Sequence, residues 1–359
     1  MHDHTGFKER IDEVLVRLAD EEEQALLGLN VELSPLSEQL RRSLARGKRI
    51  RAAFLYWGWR AAGQPDCEGV IRAAAAMELV HAAACTHDDI IDGSRMRHGQ
   101  LTAHAAFAAA GQRPTALAMI LGDLLMGYAG HVFTSCGLPG AYLARTIPLW
   151  STLLRETMAG EFLEVLRTGT RPRLESQMAE SGVAEASAAE PKVAESLEVA
   201  RYKTAKYTVE RPLHLGATLG GGSPALLDAF SAYGLPLGEA FQLRDDLLGT
   251  FGDPATTGKS NLDDLRDAKP TALLALTVAA AGPDDRRLLA KLVGNPDLGP
   301  EEAASVRELM ERHRARQQVE DMIRERIGRA TGALDTAPMP AEARAALRGL
   351  AGTAAERSR

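Results

Sequence analysis

Two groups of acidic residues, far apart in the chain, have the spacing that divalent-metal chemistry uses. The first comprises Asp88, Asp89 and Asp92, and the second comprises Asp245 and Asp246. In a helix, Asp88 and Asp92 lie on one face, about 6 Å apart along the axis. Carboxylates this close repel each other unless a cation lies between them, and Mg²⁺ prefers oxygen ligands that it often shares with phosphates. A single acidic helix end is commonly just solvated surface, but two such groups within apolar helical runs indicate a metal site.

Basic residues accompany these acidic groups in loops and near helix ends. They are Lys48, Arg49, Arg51, Arg97, Lys203, Lys259 and Lys269. Each one alone would be read as a solvated surface charge. Lys48 and Arg49, however, directly precede an apolar helix, whose N-terminal N–H groups favour an anion. Carboxylates and cations together suit a polyanion held both through metal and through direct ion pairs, and a diphosphate fits this description.

Small apolar residues precede the first acidic group on the same helix. Ala84 lies one helical turn before Asp88, and Met77 lies about 16 Å before it. With Val80 and Ala83, these side chains could line a tunnel for a hydrocarbon tail below a charged head. Close helix–helix packing through alanines would produce the same pattern, so both interpretations stay open at this point.

The elements that must position these residues are helical. Good helix formers at helical periodicity dominate, and strand patterns extend over a few residues at most. The first acidic group ends a predicted helix at about 67–92 that Asp66 could cap, and the second lies in one at about 223–251. Residues 172–195 have little apolar periodicity, which predicts a flexible excursion. We expect an all-α fold: a single domain over 1–359, built as a bundle of antiparallel helices around a central cavity.

The composition narrows the class of protein. The 359 residues carry a net charge of −6, with 45% apolar and 25% charged residues, as in a globular protein with no nucleic-acid partner. Cys67, Cys85 and Cys136 form neither a disulfide framework nor a close-spaced ligand set. Neither a signal peptide nor an uninterrupted apolar run of about 18 residues is evident, so we expect a cytoplasmic protein with no transmembrane segment.

Several motifs, taken in order, resemble the trans-isoprenyl diphosphate synthases of the polyprenyl synthetase family. The resemblance covers about residues 35–350 and is closest to bacterial geranylgeranyl diphosphate synthases. Residues 88–92 resemble the first aspartate-rich motif of the family, and residues 241–246 resemble the second. Residues 47–51 resemble its Gly-Lys-Arg-x-Arg segment.

The resemblance implies a role for each matching residue. Asp88, Asp92 and Asp245 would bind Mg²⁺, with about three ions when substrate is present. Catalytic groups would include these aspartates with Arg97, Lys203 and Lys259. Lys48, Arg51 and His81 would bind isopentenyl diphosphate, and Thr204, Gln242 and Lys269 the allylic diphosphate. His98, in the tail of the first motif, would also bind substrate. Met77, Val80, Ala83 and Ala84 would form the tail tunnel.

Three positions depart from the family pattern. Gly249 stands where the second motif usually has a third aspartate, which removes one possible metal ligand. His98 replaces the second arginine of an Arg-Arg pair and carries only partial charge near neutral pH. Arg46 replaces the first of two glycines.

The resemblance implies Mg²⁺-dependent condensation of isopentenyl diphosphate with an allylic diphosphate. Because Ala83 and Ala84 leave the tunnel open, we expect a C20 product, geranylgeranyl diphosphate, with longer chains or C15 as rivals. By analogy the family also implies a homodimer. The other readings are a class I terpene cyclase, a His-Asp metal phosphohydrolase, a di-iron bundle hinted at by Glu78-x-x-His81, and a non-catalytic subunit of a heteromeric synthase.

Overall fold

The computed structural model describes residues 4–97, 99–110, 113–168, 189–257 and 260–355. In these residues the fold is all-α, as predicted, with one small hairpin. The helices of the first half are α1 (His4–Leu29), α2 (Ser34–Leu44), α3 (Ile50–Ala61), α4 (Glu68–Ile91), α5 (Ala103–Ala110), α6 (Pro114–Thr134) and α7 (Gly140–Arg167), with a 3-10 turn at Val31–Leu33. The hairpin is antiparallel and pairs β1 (Met96–Arg97) with β2 (Gln100–Leu101).

The regular elements in the described part of the second half are all helices. It comprises α8 (Ala189–Val199), a π-helix (Ala200–Glu210), α9 (Arg211–Leu219), α10 (Pro224–Phe251), α11 (Pro254–Thr257), α12 (Asp263–Arg266), α13 (Ala272–Ala280), α14 (Pro283–Leu292), α15 (Pro300–Arg312), α16 (Ala315–Ala333) and α17 (Ala341–Ala355). Of the predicted excursion at 172–195, residues 172–188 lie outside the described residues, and 189–195 belong to α8.

The chain forms two compact units. Unit 1 comprises Met1–Trp150, Arg211–Leu227 and Pro338–Leu347, and unit 2 comprises Ser151–Glu210, Asp228–Ala337 and Arg348–Arg359. That they fold together as a single domain stays a prediction.

Close packing around α3 and α4 forms the core of unit 1. Helix α4 packs against α3 and α6, and α3 also packs against α9. The last contact brings two backbones together: a Cβ on Gly216 would lie 1.9 Å from the Leu55 carbonyl oxygen, and one on Gly58 would lie 2.3 Å from that of Leu213. Because only glycine permits this approach, α3 is fixed closely against its neighbour.

Helix α4 follows from its alanine-rich sequence, which favours a helix and allows close neighbours. It begins at Glu68 and ends at Ile91, within a residue of the predicted bounds. The expected cap at Asp66 is wrong. The residue before the helix is Cys67, and the Asp66 carboxylate instead accepts a hydrogen bond from Arg10 at 2.8 Å.

In unit 2 the π-helix is held between two glycine positions. A Cβ on Gly160 of α7 would lie 2.3 Å from the Lys203 backbone nitrogen, and one on Gly238 of α10 would lie 2.2 Å from Ala205 Cα. π-helical turns are rare and occur often at functional sites. This one carries Lys203 and Thr204, two of the predicted site residues. The surrounding core draws Leu243 and Leu247 from α10 together with apolar residues of α13 to α16.

Helix α6 is long and apolar enough, by length and composition, to cross a bilayer. A buried core helix passes the same test, and Leu121, Leu125 and Ala129 are fully buried in unit 1. Since Asp123 interrupts its apolar run, the sequence had indicated no such segment. The absence of a transmembrane segment therefore stays a prediction.

Candidate active site

One accessible stripe runs along α4, a helix that is otherwise largely buried. His81, Ala84, Cys85, Asp88 and Asp92 are partly exposed, and their spacing of three, four, seven and eleven residues puts them on one face. The stripe joins the predicted isopentenyl diphosphate residue to the first aspartate-rich motif. It also includes Cys85, whose sulfur lies 3.4 Å from His81 Nδ1.

Arg97 lies on β1 and binds the first motif. Its guanidinium donates to Asp89 Oδ1 and to Asp88 Oδ2, both at 2.8 Å. Burial opposes its charge, but Cys85, Asp89 and Asp88 together raise the pKa of Arg97 above its ordinary value. The arginine is therefore a permanent cation beside Asp88. Asp89 is buried and acts as its anchor, whereas Asp88 and Asp92 stay partly exposed.

The basic residues just before and at the start of α3 differ in their exposure to solvent. Lys48 is exposed, Arg51 is partly exposed in the first turn of α3, and the intervening Arg49 is buried. Lys48 and Arg51 lie in unit 1, as do His81 and the first motif. Unit 1 thus contains the described residues that the resemblance assigns to isopentenyl diphosphate.

The second motif lies on α10 in unit 2, with its two aspartates in different environments. Asp245 is exposed and Asp246 is buried. Gln242 donates through Nε2 to Asp246 Oδ1 at 2.8 Å and accepts through Oε1 from the Thr204 hydroxyl. Gln242 therefore links the predicted allylic-diphosphate residue on the π-helix to the acidic pair.

Carboxylates crowd around the second motif. Burial raises the pKa of Asp246 to about 8 even though the hydrogen bond from Gln242 opposes this, and the negative charges of Asp264, Glu164 and Asp245 add to the rise. A group of oxygen donors with this much negative charge suits a divalent cation. The residues present therefore fit the metal that the sequence predicted, with Asp245 as the accessible candidate ligand.

Lys203 is held by two glutamates that sequence reasoning missed. Its ammonium lies 2.9 Å from Glu161 Oε2 and also binds Glu164. Both glutamates project from α7, one turn apart, beside Gly160. The signal available was Glu161-x-x-Glu164 directly after a glycine in a helix, but nothing in the sequence showed that Lys203 would lie against it.

Asp264 was missed in the same way, and its carboxylate lies against Gly249, one of the positions that depart from the family pattern. A Cβ on Gly249 would lie only 2.1 Å from Asp264 Oδ2. The Asp264 carboxylate thus occupies the space into which a side chain at position 249 would begin. Lys269, a predicted substrate residue, lies 3.6 Å from Asp264 Oδ1.

The four predicted tunnel residues are not equivalent. Met77, Val80 and Ala83 are fully buried, whereas Ala84 is partly exposed on the same stripe as Asp88. The tunnel stays a prediction, and Ala84 is the member whose side chain is accessible. Two further predicted site residues, His98 and Lys259, lie outside the described residues.

The chain is similar in sequence to known proteins over most of its length. The family model described as Polyprenyl synthetase matches residues 34–312. A (2E,6E)-farnesyl diphosphate synthase of Mycobacterium bovis is 32% identical over 268 residues, which cover 74% of this chain and 67% of that protein. A geranylgeranyl diphosphate synthase of Saccharolobus solfataricus is 26% identical over 271 residues, covering 75% and 74%.

The chain is also similar to solved structures. A geranylgeranyl pyrophosphate synthase from Corynebacterium glutamicum, complexed with isoprenyl diphosphate and magnesium, has a TM-score of 0.86 and 35% sequence identity, with 98% of each chain covered. A polyprenyl synthase from Caulobacter crescentus, complexed with calcium and isoprenyl diphosphate, has a TM-score of 0.75 and 28% identity over 97% of this chain and 98% of that one. This chain therefore belongs to the polyprenyl synthetase family and is a prenyltransferase that makes trans-prenyl diphosphates.

Proposed function

We propose that this enzyme makes geranylgeranyl diphosphate, the C20 product, by Mg²⁺-dependent head-to-tail (1'-4) condensation of isopentenyl diphosphate with an allylic diphosphate. The observation that carries the proposal is the likeness, over 98% of the chain, to a geranylgeranyl pyrophosphate synthase that binds isoprenyl diphosphate and magnesium. The partly exposed alanine at position 84, next to the first motif, supports it, since a small residue there leaves room for a growing tail.

Asp88, Asp92 and Asp245 would hold the metal, with about three ions once substrate is bound. Bound Mg²⁺ supplies charge neutralisation to the departing diphosphate. Arg97, Lys203 and Lys259 add fixed positive charge to the same group as the allylic C1–O bond breaks. Thr204, Gln242 and Lys269 orient the allylic diphosphate. A closed site would keep water from the carbocation.

Isopentenyl diphosphate would be held through its diphosphate by Lys48, Arg51 and His81, and His98 would contribute to substrate binding. Its double bond attacks the allylic carbocation, and a proton then leaves the new carbon skeleton. The released diphosphate is a sufficient acceptor for that proton, so no side-chain base is required. The predicted tail tunnel of Met77, Val80, Ala83 and Ala84 would receive the growing hydrocarbon.

We also propose that the enzyme is a cytoplasmic homodimer. Helix α6 supports a second copy as partner, because Leu117, Met119 and Ile120 leave 40 to 52% of their surface exposed. Neighbouring exposed apolar residues of this kind mark interaction surfaces more often than isolated ones do.

The proposal is tested by incubating the purified chain with isopentenyl diphosphate, Mg²⁺ and, in separate reactions, the C5, C10 and C15 allylic diphosphates. Chromatography of the products should show a C20 end product from each. A C15 limit, with the C15 substrate left unextended, would make the enzyme a farnesyl diphosphate synthase like the mycobacterial relative. Products beyond C20 would indicate a longer-chain synthase.

These incubations, with one further incubation of the chain with geranylgeranyl diphosphate alone, separate the other candidates. Hydrocarbons formed from geranylgeranyl diphosphate alone would indicate a cyclase, and phosphate release without condensation would indicate a phosphohydrolase. Complete inactivity of the pure chain would favour a subunit of a heteromeric synthase.

A further inference from the structure

The segment that precedes α3 alternates between outward and inward side chains. Lys48 is exposed, whereas Arg49 is only 4% exposed. Arg49 has a left-handed backbone conformation, with φ 55° and ψ 35°. A non-glycine residue rarely adopts this conformation without a stabilising interaction. The buried guanidinium should therefore have partners that hold it inside.

Arg49 makes such contacts to three parts of unit 1. Its Nε donates to Asp12 Oδ1 of α1 at 2.7 Å, and Nη2 donates to the Leu44 carbonyl at the end of α2 at 2.5 Å. Nη1 donates to the Arg46 carbonyl of its own loop at 3.0 Å. Gly47, at φ 147°, allows this fold of the loop, because a Cβ there would lie 2.9 Å from Nη1. The guanidinium thus ties the loop to α1 and α2.

Glu78 of α4 completes the arrangement. It is 3% exposed, accepts a hydrogen bond from the Ala52 backbone N–H at 3.1 Å, and lies 3.7 Å from Arg49 Nη1. Its carboxylate therefore holds the first turn of α3, which carries Arg51, against α4. Glu78 is one helical turn before His81. Breaking a buried charged pair by removing one partner is strongly destabilising, so these groups should keep a fixed relative geometry.

Asp12 is the counter-ion contributed by the N-terminal helix. Burial would raise the pKa of Asp12, but hydrogen bonds from Lys8 and Arg49 hold it below its ordinary value. The carboxylate is ionised at neutral pH and available to Arg49. Helix α1 thereby reaches the loop that carries Lys48, although it contains none of the residues predicted to bind substrate.

We propose that Asp12, Arg49 and Glu78 are positioning residues for the isopentenyl diphosphate site. Asp12 and Glu78 each contact Arg49, and the three residues set where Lys48, Arg51 and His81 present their charges. This assignment rests on the proposed function, in which those three residues bind the diphosphate. A displacement of about 1 Å in a binding group can cost large factors in rate or affinity.

The test uses Asp12→Ala, because this carboxylate is 31% exposed and its removal should leave the chain folded. The matched control is Arg10→Gln, which removes a different contact of α1 with the start of α4, through Asp66 and Glu68 at 2.8 and 2.6 Å. We expect Asp12→Ala to raise the KM for isopentenyl diphosphate about tenfold, with the KM for the allylic diphosphate within about twofold of wild type. Arg10→Gln should leave both constants near wild type.

A second pair of variants probes Glu78. Glu78→Gln keeps an oxygen that can accept the Ala52 N–H, whereas Glu78→Ala does not. We expect partial rescue: a smaller rise in the KM for isopentenyl diphosphate with glutamine than with alanine. Calorimetric titration with isopentenyl diphosphate alone should show the same order, with binding weaker in Glu78→Gln than in wild type and weakest in Glu78→Ala. If Glu78→Ala does not fold, the result rests on Asp12→Ala and its control.

Two outcomes would overturn the inference. One is an Asp12→Ala enzyme whose KM for isopentenyl diphosphate equals that of wild type. The other is that Asp12→Ala and Arg10→Gln change the KM for isopentenyl diphosphate and the KM for the allylic diphosphate to the same extent. In that case α1 would give only general structural support. Failure of the wild-type enzyme to condense isopentenyl diphosphate with any allylic diphosphate would instead refute the proposed function.

Discussion

At the scale of single residues, the aspartates of each motif divide between accessible and buried positions. Asp88 and Asp245 are accessible, while Asp89 anchors Arg97 and Asp246 accepts a hydrogen bond from Gln242. In each pair of adjacent aspartates, one carboxylate is therefore accessible to a ligand, and the other is buried and holds a neighbouring side chain. The accessible members are those that the resemblance assigned to the metal.

The raised pKa of Asp246 predicts a pH-dependent stability. Between the ordinary value near 3.8 and about 8, the folded protein binds more protons than the unfolded chain, so the contribution of this group falls as pH rises. For one proton the slope is at most about 1.4 kcal/mol per pH unit. Thermal unfolding in the presence of a metal chelator tests this. From pH 5 to 9 the melting temperature of wild type should fall relative to that of Asp246→Asn. Parallel curves for the two proteins would show that another group carries the proton.

The accessible position of Ala84 predicts a change in product length. In Ala84→Phe a large ring would project from the same face as Asp88, one turn away, and would occupy space intended for the tail. We expect a shift from C20 toward C15, measured by product chromatography. Cys85→Ser is the control, because Cys85 lies on the same stripe and serine is similar in size to cysteine. This variant should retain the wild-type product length. An unchanged product in Ala84→Phe would show that Ala84 does not border the tail.

At the scale of elements, the sequence predicted the two acidic helices to within a residue at each end. The bounds about 67–92 and 223–251 became Glu68–Ile91 and Pro224–Phe251. These bounds could be predicted because the signals are local: apolar residues at helical periodicity over a long stretch, and Ser223-Pro224 at the start of α10. The π-helix at Ala200–Glu210 was not predicted, because its residues have the composition of an ordinary α-helix.

The side-chain contacts that the sequence did not predict are made between separate segments of the chain. The contacts of Lys203 with Glu161 and Glu164, and the approach of Asp264 to Gly249, join residues far apart in the chain. The inward turn of Arg49 likewise depends on Asp12 and Glu78. Spacing within a helix predicts which side chains share a face, but it does not predict what another helix will place against them.

The backbone contact between α3 and α9 predicts a large effect from a single methyl group. Gly216→Ala would place a Cβ 1.9 Å from the Leu55 carbonyl, so the helices must separate, at a cost of about 1–3 kcal/mol. Gly328→Ala in α16 is the matched control, since nothing lies within 4 Å of its added Cβ, and it should stabilise by about 0.5–1 kcal/mol. Urea unfolding measures both. A Gly216→Ala protein as stable as wild type would contradict the close contact.

At the scale of the whole molecule, the described site residues divide cleanly between the two units. Unit 1 contains the first motif with Lys48, Arg51 and His81, and unit 2 contains the second motif with Lys203, Thr204 and Lys269. The proposed reaction uses two diphosphate substrates. On our assignment, the isopentenyl diphosphate residues lie in unit 1 and the residues that orient the allylic diphosphate lie in unit 2. The metal-binding aspartates and the cations assigned to the departing diphosphate come from both units.

The exposed apolar residues of α6 predict self-association. Sedimentation should give a species of twice the 38.5 kDa chain mass, and Ile120→Glu should shift it toward the monomer, because a charge would be buried in the contact. Val16→Glu, at a similarly exposed position on α1, should leave the dimer intact. A monomeric wild-type protein, or equal behaviour of the two variants, would refute the proposed interface.

The most direct test of the central claim is the turnover of isopentenyl diphosphate and farnesyl diphosphate by wild type, Asp88→Asn and Asp245→Asn under saturating Mg²⁺. Both asparagine variants change a single charge and preserve side-chain shape. If both motifs hold the metal for diphosphate departure, each variant should lose about a hundredfold or more in kcat while still binding isopentenyl diphosphate in calorimetry. Near wild-type turnover in either variant would contradict the claim that the two motifs serve one reaction.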